Sequence, residues 1–226
     1  MGRVLPILFN IDMVRAILDG RKTVTRRTVK YKYSNTEMKM RTDKYGTRLI
    51  EIRKDIEGET HGKNPDGSTW HKLLPYIEKN PPYRKSDTLY VRETWREHSP
   101  GFDNLFIYKA DYADGSVNVK WHPSIHMPKE AARIWLKVTD VRVERLRDIT
   151  NEQILREGAN KATINHLIKQ MPEETEEYIR TAYLIEWSWL WDSTIKKSDL
   201  ALYGWDANPW VWVVEFERCE KPESEE

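Results

Sequence analysis

Between Arg133 and Leu146 the chain alternates polar and apolar residues almost without interruption. Ile134, Leu136 and Val138 hold one phase, and Val141 and Val143 hold the next. A period of two is the mark of a strand with one face buried. The change of phase near Asp140 is what a β-bulge produces. The stretch reads as one long strand, and further strand signals supply its partners. Val4 to Phe9, Arg48 to Lys54, Thr88 to Trp95, Leu105 to Ala110 and Trp210 to Phe216 all carry them. The last is strongly apolar, with Glu215 its one charged residue, and suits the middle of a sheet.

Helical signals lie between these strands. Asn10 or Asp12 can cap a helix whose apolar face is Met13, Val14, Ile17 and Leu18, with Gly20 suited to the left-handed position after it. Thr150 and Gln153 match a capping box, Ile149 and Ile154 a hydrophobic staple, and Gly158 closes that helix. A polar-faced helix runs from Asn160 to Met171. A longer one runs from Glu173 to about Ser193, its end made apolar on nearly all sides by Tyr183, Trp187, Trp189, Leu190 and Trp191. Several strands with unequal connections predict an α+β fold, a small partly open β-barrel with helices packed outside. One domain over residues 1–216 is expected. The less regular segment at about 30–86, with its turn signal Asn64-Pro65-Asp66-Gly67, reads as an insertion. Residues 217–226, with five glutamates, read as a disordered tail.

A net charge of +1 argues against a protein that coats nucleic acid over its whole surface. It leaves room for a local basic groove, and the sequence has a candidate. Gly20 to Arg27 reads Gly-Arg-Lys-Thr-Val-Thr-Arg-Arg, and no acid occurs from Gly20 to Thr36. Arg21, Lys22, Arg26, Arg27, Lys30 and Lys32 all fall in that span. A bend after the glycine can bring Lys22 and Thr25 together. An ammonium beside a hydroxyl, ringed by guanidinium groups, suits an anion or a polarised carbonyl. The plain alternative is a solvated basic loop.

Other residues carry similar double readings. Glu93 shares a strand face with Leu89 and Val91, so it needs a partner or a ligand. An arginine of the basic stretch would serve as that partner. Glu157 sits in the last turn of its helix, where the dipole disfavours an acid. It has a cationic partner or a task, or it is an ordinary exposed glutamate. His122 and His126 lie on a proline-flanked loop, and no second cluster completes a metal site there. Among the ten tryptophans, Trp95, Trp210 and Trp212 can stack on a base or serve as core. No phosphate loop, dinucleotide fingerprint or serine triad is present, so no cofactor is expected. The short apolar start, broken by Pro6, and the single Cys219 fit a cytoplasmic protein without a membrane span. A monomer is the favoured state.

Ile17-Leu18-Asp19-Gly20-Arg21-Lys22-Thr23-Val24-Thr25-Arg26-Arg27 resembles the signature of ASCH domains, which share the PUA-like β-barrel. Three further segments resemble a longer ASCH-type group common in phages and prophages. They are Leu89 to Trp95, Ser124-Ile125-His126-Met127-Pro128 and Trp205-Asp206-Ala207-Asn208-Pro209-Trp210-Val211-Trp212. The best-defined ASCH enzymes are small bacterial amidohydrolases that deacetylate acetylated cytidine. They use a Lys and a Thr of the basic motif and a Glu on a later helix. Carried over, the resemblance implies catalytic roles for Lys22, Thr25 and Glu157. It implies ligand binding by Arg21, Arg26, Arg92, Glu93, Trp95, Ser124, His126, Asn208 and Trp210. The implied ligand is a modified nucleoside or an RNA base, either hydrolysed at an amide or bound without turnover.

Overall fold

The computed structural model describes residues 2–44, 46–53, 60–63, 65, 69–72, 77–98, 106–112 and 119–222. Its strands are β1 (Val4–Leu8), β2 (Val24–Thr28), β3 (Thr36–Asp43), β4 (Gly46–Arg53), β5 (Thr60–Lys63), β6 (Thr69–Lys72), β7 (Ile77–Glu78), β8 (Thr88–Arg92), β9 (Trp95–Glu97), β10 (Phe106–Tyr108), β11 (Trp135–Arg145) and β12 (Trp210–Cys219). Its α-helices are α1 (Ile11–Leu18), α2 (Asn151–Arg156), α3 (Lys161–Lys169), α4 (Glu176–Ser193) and α5 (Leu200–Tyr203). The class is α+β, and none of the described sheets closes on itself.

Residues 1–27 and 83–226 form one compact unit, and residues 28–82 a second. The first is built on a sheet of order β1-β8-β11-β12-β2. β1 runs parallel to β8, and β11 runs antiparallel to both β8 and β12. The register of β11 on β12 shifts between Val138 and Asp140, where the sequence changes phase. β12 is interior, and its two faces serve two cores. Val214 and Phe216 join Leu89, Val91, Leu136 and the α1 residues Val14 and Ile17. Val211 and Val213 join Val24 and the helical residues Ile154, Ile164, Ala182, Trp187 and Trp191. A strand buried on both sides has no polar face, which accounts for the apolar run from Trp210 to Val214. Helices therefore lie over both faces of this sheet.

Several sequence boundaries move. The strand expected from Thr88 to Trp95 breaks after Arg92 and resumes at Trp95. β12 continues through Glu217 and Arg218 to Cys219, paired with Lys137, Leu136 and Trp135, so the expected tail begins later. The signal from Leu105 to Ala110 narrows to β10 followed by a short 3-10 turn at Lys109–Asp111. The Asn64-Pro65-Asp66-Gly67 turn lies outside the described residues except at Pro65.

The second unit holds a sheet of order β3-β4-β7 and the β5-β6 pair. Its ordered centre is Glu51, whose side chain is fully buried. The carboxylate accepts from the amides of Lys32 and Tyr33, from the Thr36 hydroxyl at 2.6 Å, and pairs with Lys79. Burial alone would push this carboxyl up. Lys79, Thr36 and the two amides outweigh it and bring it down to about 2.

Candidate functional site

Two helix ends bring the basic stretch against Glu157. Asn10 caps α1 by accepting from the Met13 amide at 2.9 Å. Past the helix, Gly20 takes φ +73°, and the amides of Arg21 and Lys22 both donate to Ala16 O, at 2.8 and 2.9 Å. That corner sets the start of β2. On the other side, Thr150 and Gln153 form the capping box of α2, and Glu157 is its C-cap. Gly158 follows with φ +94°. A Cβ there would lie 2.9 Å from the Ala16 Cβ and 3.4 Å from the Lys22 Cβ, so only glycine lets the two turns approach this closely. Thr23 N donates to Arg156 O at 2.9 Å and locks the arrangement.

The result is a buried ion cluster. Lys22 Nζ donates to Glu157 Oε2 at 2.8 Å, Glu157 O at 2.7 Å and Val24 O at 2.9 Å. Its side chain is 0% exposed, and that of Glu157 3%. Arg26 is fully buried too and donates to Glu157 Oε1 at 3.1 Å, Gln153 Oε1 at 2.9 Å and Glu144 Oε2 at 3.2 Å. Burial pushes the Lys22 pKa down from its ordinary value. Glu157 opposes that, while Arg27 and Arg26 add to it. Three acceptors around three protons fit the ammonium form. The charges continue outward in alternation. Glu144 also meets Arg142 at 2.5 Å, Arg142 meets Glu215 at 2.6 Å, and Glu215 meets Arg156 at 2.6 Å. Arg156 Nε donates to Thr23 Oγ1 at 3.0 Å.

A pocket of about 270 Å³ opens beside this cluster, lined by Thr25, Arg26, Arg27, Glu157, Trp187 and Trp191 among others. The Arg26 guanidinium stands 6.0 Å from the Trp187 ring centre, and Trp187 packs on Trp191 at 5.9 Å. Lys22 lies behind the wall, fully buried. Lys22, Thr25, Arg26 and Glu157 are thus brought together from two stretches far apart in the sequence. The α4 aromatics that complete the pocket were expected only as core. The signal for them was the all-round aromatic end of that helix.

The other expected ligand residues lie elsewhere in the first unit, outside this pocket's lining. Arg21 is exposed, pairs with Asp19 at 3.0 Å and borders a wider cleft of about 750 Å³ along α3. Glu93 does find a partner, but it is Arg133 rather than a basic-stretch arginine. The fork is bidentate, at 2.9 and 3.0 Å. Burial pushes the Glu93 carboxyl up while Arg133 pulls it back. Arg133 is within reach because β8 pairs with the start of β11. Arg92 donates to Ile125 O, between Ser124 and His126 on a 3-10 turn. Trp95 is buried with Met127 and Trp135 and packs against Phe106 at 5.5 Å. Asn208 accepts from the Arg147 amide at 2.9 Å, and Arg145 stacks 4.4 Å over Trp210. Trp212 is buried in the sheet. No group of three or more possible metal ligands occurs among the described residues. No helix among them is long and apolar enough to cross a membrane. Comparison with protein-family models, with curated proteins and with solved structures finds no match for this chain.

Proposed function

We propose that the chain is an ASCH-type protein of PUA-like fold that takes a modified nucleoside into the pocket beside Glu157 and hydrolyses an exocyclic amide there. The observation that carries the reading is the meeting of Lys22, Thr25 and Glu157 at one buried corner beside a nucleoside-sized cavity. The 2.8 Å contact from Lys22 Nζ to Glu157 Oε2 gives the chemistry a proton route. Lys22 passes a proton to Glu157 and, as the amine, takes the Thr25 proton while the hydroxyl oxygen attacks the amide carbonyl. Arg26 faces the developing oxyanion. Glu157 then gives its proton to the leaving amine, which leaves the acyl group on Thr25 as an ester. Water attacks that ester, giving one proton to Lys22 while Glu157 returns one to the Thr25 oxygen, and the acid is released. Trp187 supplies an aromatic wall for the base.

A second reading is binding without turnover, to a nucleotide or an RNA base. One observation favours it: all three Lys22 donors are spent on protein acceptors, so the amine is committed to structure. Incubation with a panel of acylated nucleosides, followed by mass spectrometry, separates the two. Hydrolysis predicts the deacylated nucleoside and one equivalent of the acid. Saturable binding with no product supports the second reading instead.

A further inference from the structure

The pocket lining carries two guanidinium groups, Arg26 and Arg27, against one carboxylate, Glu157. Both oxygens of Glu157, its acid, are engaged, one by Lys22 and one by Arg26. The alternating network pairs Lys22, Arg26, Arg142 and Arg156 with Glu157, Glu144, Glu215 and Asp140. Arg27 is the cation left over. It lines the pocket, donates to Leu8 O at 2.8 Å, stands 5.3 Å from the Phe9 ring centre, and has no carboxylate partner among the described residues. Burial pushes its pKa down, a cost that an anion would offset. Two more donors of the same wall, Arg26 Nε and Trp187 Nε1, are buried without an acceptor. Buried N–H groups in a folded protein are nearly always paired, so unpaired ones at a cavity call for a partner. What Arg27 lacks is an oxygen carrying negative charge.

We propose that this pocket takes a phosphorylated ligand, a nucleotide in place of an uncharged nucleoside, with Arg27 holding the phosphate. This rests on the nucleoside-scale reading above and narrows it. A planar guanidinium matches phosphate in a two-point fork.

Calorimetric titration with cytidine, cytidine 5′-monophosphate and inorganic phosphate tests it. The nucleotide should bind at least about tenfold tighter than cytidine, and the gap should shrink as salt rises. Arg27→Gln should bring nucleotide affinity down to that of cytidine, and Arg27→Lys should keep part of the preference. Circular dichroism on both variants checks folding. Equal affinity for cytidine and its monophosphate overturns the inference. So does an Arg27→Lys variant, folded, that binds both as the wild type does. Inorganic phosphate binding as tightly as the nucleotide also overturns it, leaving an adventitious ion only. If acylated cytidine is hydrolysed without any phosphate preference, the inference fails and the hydrolytic reading stands. If the monophosphate binds through Arg27 and no acylated substrate is turned over, the reverse holds.

Discussion

Lys22 has three protons and three protein acceptors, and its carbon chain is sealed between α1 and the end of α2. Replacing it with methionine would leave Val24 O, Glu157 O and one carboxylate oxygen without donors in a site closed to water. Breaking one partner out of a buried ion pair costs about 3–5 kcal/mol. Lys22→Met should lower the unfolding free energy measured in urea by that amount, and an unchanged value would show that the pair does not hold the fold. Lys22→Arg is no gentler, because a planar guanidinium replaces a compact ammonium in a space with 0% exposure. Arg26→Lys should act differently, since it can reach Glu157 yet not hold Gln153 and Glu144 with it.

At the scale of elements, the site depends on two turns. Gly20 and Gly158 both have positive φ, but nothing lies within 4 Å of a Cβ at Gly20, whereas Gly158 would strike Ala16. Gly20→Ala should cost only the left-handed backbone, about 1–2 kcal/mol. Gly158→Ala should cost more and also push Glu157 away from Lys22, so it should lower ligand affinity where Gly20→Ala does not. Equal effects from the two would contradict the packing described. Both turns were legible in the sequence because helix caps are local: a Gly after an apolar face, and a capping box four residues long with a Gly closing its helix. The β11 bulge was legible for the same reason. Within residues 28–82 only β4 was legible, from the strand signal at Arg48 to Lys54, while the burial of Leu49, Ile50 and Glu51 in succession hid that Glu51 would be the buried carboxylate. The Glu93 to Arg133 fork was also hidden, since forty residues separate its members and only strand pairing joins them. Trp187 could be assigned to a core but not to a pocket wall, because nothing local marks which side of α4 faces Arg26.

At the scale of the molecule, the chain is two compact units with different electrostatic centres. In the second, the Glu51 carboxyl is held at about 2, below the ordinary value of 4.5. A depressed carboxyl contributes stability that is full above the unfolded value and lost as pH falls toward the folded one. Its contribution is about 3 kcal/mol at neutral pH. The stability of residues 28–82, followed from pH 6 down to pH 2, should therefore fall steadily, and Glu51→Gln should be less stable at pH 7 with a flatter acid slope. An identical slope in the variant would rule Glu51 out as the acid-sensitive group. In the first unit, the fully buried cluster at Lys22, Arg26 and Glu157 ties β2 to α2, and Thr25 stands in the pocket wall beside it.

Turnover of acetylated cytidine by the wild type and by Thr25→Val tests that site most directly. Valine keeps the β-branched shape that suits β2 and removes only the hydroxyl. The wild type should release acetate and cytidine. A folded Thr25→Val should be slower by about 100-fold or more, the scale on which a positioned reacting group acts. Wild-type protein that releases no acetate, or a Thr25→Val variant as fast as the wild type, would contradict the account.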